Sequence, residues 1–248
     1  MPLRFFNYLL TWLICSISPV RSITSLTLEI DRGKSIEQIF SLWLPSILIG
    51  LAVQIPVTHM FGVEWNNTEF FLMLIILSMM MACAGGVFTH IVMRALGLKS
   101  QLPCTLALYT VTIIYLPIAN IFFLRNTYKV FNAIYVVKQS GGLSNVIESG
   151  GFNKIALNDI IIRFLRELRW PTGGVVYIID NVITDIAGLV SILCLAVFAE
   201  MSVKWYGNTR YETYLAVAGS QIVGFILMIL IYWPIWTFTL YSFIGNVR

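Results

Sequence analysis

The sequence predicts an all-α fold, a polytopic helical integral membrane protein with five or six transmembrane helices. Three observations lead there. Hydrophobic residues make up 58% of the chain and charged residues 11%, with a mean hydropathy of +0.83, which sets aside a water-soluble domain. The apolar residues fall in runs of roughly 20, the length that crosses a hydrocarbon core. The lysines and arginines gather mostly between those runs, as the orientation of membrane helices requires.

Residues 1–38 precede the membrane domain. Arg4 leads a short apolar run, FFNYLLTWLICSIS, that ends at Pro19 and Arg21; without an A-x-A cleavage site it reads as an interfacial helix rather than a signal peptide. Residues 20–38 mix Arg21, Arg32 and Lys34 with Glu29, Asp31 and Glu37 and read as a cytoplasmic linker. The membrane domain is expected over 39–248. Its first span covers about Ile39 to Val57 and carries Pro45 and Pro56. The following loop holds His59, Glu64 and Glu69 but no lysine or arginine, which places it outside and the amino terminus inside.

From Ser78 to Pro117 the chain reads as a membrane hairpin: an apolar helix, a short basic turn with Arg94 and Lys99, and a second apolar helix. Ser78, Ala82, Gly86 and His90 recur every four residues and so share a face that admits a close neighbour. A matching small-residue face, Ala216, Ser220 and Gly224, lies on the last apolar stretch, Thr213–Ile244. The two faces are expected to pack together. Pro117 poses a topological choice. A single outward crossing would leave Arg125, Lys129, Lys138, Lys154, Arg163, Arg166 and Arg169 outside; a break at Pro117 with residues 118–137 returning as a tilted or re-entrant segment keeps them inside, and is preferred.

Residues 139–173 form a basic segment within the membrane domain. Glycine and serine over 139–153 mark a connection. In the stretch 154–170, Leu157, Ile161, Phe164, Leu165 and Leu168 share one helical face, with Asp159, Arg163 and Arg166 on another. Lys154, Arg163, Arg166 and Arg169 are candidate contacts for anionic phospholipid headgroups, each contributing on the order of 1 kcal/mol; packing on the protein's own spans is an equal alternative. Trp170-Pro171 opens the next span, about Gly174 to Phe198, which contains Asp180, Asn181 and Asp185. Acids in such a position are a candidate intramembrane polar site, although Asp180 lies about 140° around the helix from Asp185. Pairing with Arg125 or Lys129 is the structural alternative. A faint repeat, Ile114-Tyr-Leu-Pro-Ile118 against Ile231-Tyr-Trp-Pro-Ile235, hints at duplicated hairpins, a common plan in transporters.

Catalytic groupings are missing from the sequence. Neither HExxH, GxSxG nor a P-loop occurs, nothing supplies a nucleophile with a positioned base, and no enzyme activity is expected. Cys15, Cys83, Cys104 and Cys194 lie in apolar surroundings with only two histidines in the chain, so they read as packing residues rather than metal ligands or disulfides. No cofactor is expected. The net charge of +4 is explained by loops flanking spans, which makes the lipid bilayer, other membrane proteins and anionic headgroups the expected partners and nucleic acid none.

The run HIVMRALGLKSQLPCTLALYTVTIIYLP, residues 90–117, resembles the bacterial branch of the Yip superfamily, membrane proteins named for eukaryotic relatives that interact with Rab GTPases. In that family a helix ends in a basic, glycine-containing turn followed by Lys and Ser, and the next helix carries a Tyr and then a Pro. Gly97, Lys99, Ser100, Tyr109 and Pro117 fill those positions here. The second glycine of the turn is absent, and the 139–173 insert and two further spans extend past the pattern. The resemblance implies a multi-span, non-enzymatic organiser or adaptor, in a bacterial inner membrane, with no catalytic residues. A small-solute or proton-coupled transporter using Asp180, Asn181 and Asp185 is the alternative.

Overall fold

The structure, a computed structural model, describes residues 2–62, 68–139 and 175–227, together with 230–231 and 234–235. These residues are helical almost throughout, with no strand among them. The helices are α1 (Pro2–Ile17), α2 (Pro19–Asp31), α3 (Glu37–Met60), α4 (Thr68–Ala95), α5 (Leu102–Ile114), α6 (Leu116–Gln139), α7 (Val175–Tyr206) and α8 (Arg210–Leu227). Among the described residues four stretches are long and apolar enough to cross a membrane: Glu37–Met60, Thr68–Ala95, Leu102–Phe122 and Gly188–Tyr206. Of the five or six expected, residues 118–137 add no crossing of their own, and the last expected span, Thr213–Ile244, lies partly outside the described residues, which cover it as α8 through Leu227.

Residues 118–137 do not return. The Trp43 indole donates to Thr110 Oγ1 at 3.0 Å. Further along α3, Gly50 faces the Asn120 side chain, and at the end of α3 the Phe61 ring lies 5.3 Å from Tyr128 and 5.8 Å from Phe131. Contacts on α3 and on α5–α6 thus advance together, so the two run side by side in one direction. The reason is local. α5 ends at Tyr115 and a new helix starts at Leu116, which puts Pro117 in a first turn where its missing N–H is not needed. The proline interrupts the hydrogen-bond ladder without reversing the chain. Arg125 and Lys129 then fall past the apolar stretch Leu102–Phe122 instead of within it, which removes the cost of a charge at the membrane centre.

The N-terminal segment is more ordered than a linker. Ile23, Leu26, Thr27 and Ile30 are buried at the i, i+3, i+4, i+7 spacing of one helical face, and that face packs α2 on α5. The charged residues between them had obscured the stripe. α1 is a helix, as expected, but its end is held deep: the Trp12 indole donates to Ser46 Oγ at 2.6 Å, and Tyr115 Oη donates to the Ser16 carbonyl at 3.0 Å. Ser46 lies about 14 Å along α3 from Glu37 at 1.5 Å per residue. Leu10, Leu13, Ile14 and Ile17 are exposed, an apolar face suited to acyl chains.

Helix directions define two ends of the bundle. α7 runs antiparallel to α5, with Phe198 edge-on to Tyr109 at 5.4 Å and Tyr206 beside Thr105. α8 runs antiparallel to α4, with Thr89 Oγ1 2.9 Å from Ser220 Oγ. One end therefore holds Arg32, Lys34, Arg94, Lys99, Lys204 and Arg210; the other holds Phe61, the end of α6 and the start of α7. The core between the ends is centred on Trp43, Leu108, Ile114 and Phe198, all nearly inaccessible.

Candidate functional site

The first end is built around the turn after α4. Gly97 adopts φ +75°, a left-handed conformation that favours glycine. Its N–H bonds to the Arg94 carbonyl at 3.0 Å and that of Leu98 to the Met93 carbonyl at 2.9 Å, the paired bonds of a Schellman stop. Leu98 then packs on Met93 and Ala216. The stop turns Lys99, Ser100 and Gln101 back across the end of the bundle, where Asn208 holds them: its Oδ1 accepts from the Lys99 N–H at 3.0 Å and its Nδ2 donates to the Lys99 carbonyl at 2.8 Å. One amide side chain pairs with a whole peptide unit and ties the α4–α5 turn to the α7–α8 turn.

Beneath this clasp runs a chain of polar side chains. His90 Nδ1 lies 2.8 Å from Ser100 Oγ, Ser100 Oγ 2.9 Å from Thr105 Oγ1, and Thr105 Oγ1 2.9 Å from Tyr206 Oη. Thr105 and Tyr206 both donate to the Gln101 carbonyl, at 2.9 and 3.1 Å. The contact of His90 with Ser100 has the separation of a base and a nucleophile. Ser100, however, is only 8% exposed and its oxygen is shared with Thr105, so the pair serves to hold α4, α5 and α7 together. The hydroxyl of Ser202, one turn before Tyr206 on the same face, is buried without a partner among the described residues.

Over the network opens a cavity of about 540 Å³ lined by Arg94, Lys99, Lys204, Asp31, Trp205 and Tyr206, with Ser100 and Gln101 at its floor. None of the three cations makes an ion pair among the described residues; those present join Lys34 to Glu29 and Arg210 to Glu200, each at 3.2 Å. α5 also begins here, with Gln101 at its N-cap and no side-chain cap bond, so its positive dipole end adds to the local field.

The residues singled out from the sequence are distributed differently. Asp180, Asn181 and Asp185 lie in the first half of α7; their side chains fall outside the described residues. Asp185 is about 32 Å along the axis from Tyr206 at 1.5 Å per residue, a full hydrocarbon thickness away. Lys154, Arg163, Arg166 and Arg169, with the whole amphipathic stretch 154–170, lie outside the described residues. α4 and α8 do pack, but not through the expected pair of faces. Ala82 and Gly86 face α5: a Cβ on Gly86 would lie 2.6 Å from Leu106, and Ala82 belongs to the core around Leu106 and Tyr109. Ala216 and Ser220 meet Met93 and Thr89 instead, one residue-step around α4. Gly224 touches nothing within 4 Å of a built Cβ and lines an open apolar groove. Ser78 is half-buried. The small residues of α4 were needed by the next helix in sequence, whose bulky Tyr109 and Leu106 require the space.

Tyr206, Asn208 and Lys204 were missed as site residues. The Gly207-Asn208 pair was legible as a turn, but nothing local says that its amide reaches a peptide 109 residues earlier. Compared with protein-family models, curated proteins and solved structures, the chain matches none.

Proposed function

We infer that this chain is a multi-pass, non-catalytic organiser or adaptor of a bacterial inner membrane, acting through its lipid-facing surfaces and its ends. The observation that carries the reading is the placement of the acids on α7. Asp185 lies about 32 Å along α7 from Tyr206 at 1.5 Å per residue, with Asn181 and Asp180 farther still, toward the start of a helix of 32 residues, whereas a coupled transporter is expected to hold its ion site near the midplane. Between the ends Trp43, Tyr109, Ile114 and Phe198 belong to one buried core. The resemblance residues support the same reading by what they do: Gly97 stops α4, Ser100 bridges His90 and Thr105, Tyr109 packs on Phe198, and Pro117 lies beside Gly50. A signature made of assembly residues suits a scaffold whose shape is its function.

The test is reconstitution of the full chain in vesicles enclosing a pH-sensitive dye. An imposed proton gradient, and gradients of sodium and potassium, are expected to decay no faster than in empty vesicles, with Asp185→Asn indistinguishable from the unmodified protein. A flux that Asp185→Asn abolishes while the variant stays folded overturns the organiser reading in favour of transport. As a positive readout, chemical crosslinking in native membranes is expected to place the protein in a stoichiometric complex with another membrane protein; a chain that remains monomeric at its native abundance also counts against the proposal.

A further inference from the structure

The cavity at the Lys99 end does not stand alone. A second cavity of about 420 Å³ shares Lys204 and Trp205 with it and is lined by Val20, Leu108, Leu193, Val197 and Met201 among others. Its walls come from α2, α5, α7 and, through Tyr214, α8. Leu193 lies about 17 Å along α7 from Lys204 at 1.5 Å per residue, so the groove descends from the charged end toward the middle of the bundle. Leu193 is 63% exposed, which leaves the groove open sideways to the bilayer. The first cavity carries three cations, one carboxylate and two interfacial aromatic rings; the second is mostly apolar, its polar groups besides Lys204 and Trp205 being Thr24, Tyr214 and Glu200, whose carboxylate is paired with Arg210 at 3.2 Å.

We propose that these two adjoining cavities form a binding site for one anionic phospholipid, its phosphate held by Arg94, Lys99 and Lys204 and one acyl chain laid in the groove along α7. Each part of the site selects a part of that molecule. Arg94 reaches a phosphate with a planar, multi-donor fork, and the two lysines supply point charges. In the first cavity three cations against Asp31 leave a surplus of two positive charges, and Glu200 in the second is paired with Arg210; that surplus is matched to a phosphodiester or monoester rather than to a heavily phosphorylated group. Trp205 and Tyr206 sit where an interfacial ring is stable, apolar body toward the chains and polar edge toward the headgroups. A free phosphate would satisfy the cations but leave the adjoining apolar groove without use, so the amphiphile accounts for both cavities. The site is built from described residues alone and does not depend on the organiser reading.

The test uses the purified full chain in nanodiscs of neutral lipid, titrated with didecanoyl phosphatidylglycerol, with didecanoyl phosphatidylcholine, and separately with inorganic phosphate, and read by native mass spectrometry and thermal shift. The anionic lipid is expected to be retained at one copy per chain and to raise the melting temperature, with phosphatidylcholine and phosphate much weaker. Arg94→Gln and Lys204→Gln are each expected to weaken retention about fivefold, while Lys34→Gln, which alters a cation paired with Glu29 at the same end, leaves it unchanged. Ala196→Trp, which fills the groove, is expected to reduce lipid retention further. As a readout that needs no groove variant, brominated acyl chains on the anionic lipid should quench the share of fluorescence that Trp205→Phe removes. Phosphate binding as tightly as the lipid, equal retention of phosphatidylcholine, or loss of binding no greater in Arg94→Gln and Lys204→Gln than in Lys34→Gln overturns the proposal.

Discussion

Replacing Gly85 by alanine tests how closely α4 and α5 approach. A Cβ built on Gly85 overlaps the Tyr109 hydroxyl and lies 2.6 Å from its Cζ and 2.9 Å from its Cε1, where ordinary contact begins near 3.4 Å. The ring must retreat by about 1 Å in a site where it is 8% exposed and edge-on to Phe198. Overpacking of this kind costs about 1–3 kcal/mol, and a disturbed aromatic pair about 0.5–1.5 kcal/mol more. Against this stands the helix preference of alanine over glycine, about 1 kcal/mol. The net expectation is a destabilisation of about 0.5–3.5 kcal/mol. Gly188→Ala supplies the control, because a Cβ there meets nothing within 4 Å and only the propensity gain remains. The same chemical change should therefore have opposite signs at two glycines, measured by reversible unfolding in mixed micelles or by thermal shift. Tyr109→Phe, which removes the overlapping oxygen, should recover part of the loss in Gly85→Ala. If Gly85→Ala is as stabilising as Gly188→Ala, the two helices do not pack as described.

Two further predictions follow from the bundle ends. Asn66→Cys and Asn145→Cys, in a background without the four native cysteines, should label from the same side of the membrane and Thr209→Cys from the other; labelling of 66 and 145 from opposite sides would restore the return at Pro117. Asn208→Ala should cost about 1 kcal/mol, the lower range for two hydrogen bonds whose peptide partner at Lys99 can rehydrate, and Asn208→Asp at least as much, since it sets a carboxylate oxygen against the Lys99 carbonyl; unchanged thermal stability in both would show that the clasp between the turns contributes nothing.

The helical class was legible because it rests on composition and run length, which no tertiary contact can reverse. The α2 stripe was equally present in Ile23, Leu26, Thr27 and Ile30, but the charges around it drew the reading toward a linker, an instance of polarity outweighing period. Pro117 misled for a different reason. A proline interrupts a helix from its own side of the peptide bond, yet whether the chain then turns or continues depends on neighbours such as Gly50 and Trp43, which no local pattern names. The small-residue faces identified the right helices and the wrong partners, since spacing says that a face admits a close neighbour and is silent on which neighbour arrives. The end cavity joins residues from positions 31, 94, 99 and 204–206, and only the antiparallel course of α4, α5 and α7 brings these together.

The faint repeat acquires a physical meaning in the fold. α4 and α5 form one hairpin and α7 and α8 another, and both turn at the same end through a glycine with positive φ, Gly97 at +75° and Gly207 at +68°. The returning helices each carry a fully buried threonine near their start, Thr105 and Thr213, whose hydroxyls donate to carbonyls four residues earlier at 2.9 and 2.8 Å. Since α5 and α8 leave that end in the same direction, the hairpins have the same orientation, and any duplication is of the parallel kind, with its axis along the bundle, rather than inverted. An inverted pair exchanges the two faces of a membrane and suits alternating access; a parallel pair keeps both turns on one face. Here those turns are joined by the Lys99–Asn208 pairing, and the cation-lined cavity lies beside that junction. The parallel sense of the two hairpins thus brings two basic turns to one surface, Arg94 and Lys99 from the first and Lys204 from the α7 end of the second, and so gathers positive charge of which a single hairpin would present only a part.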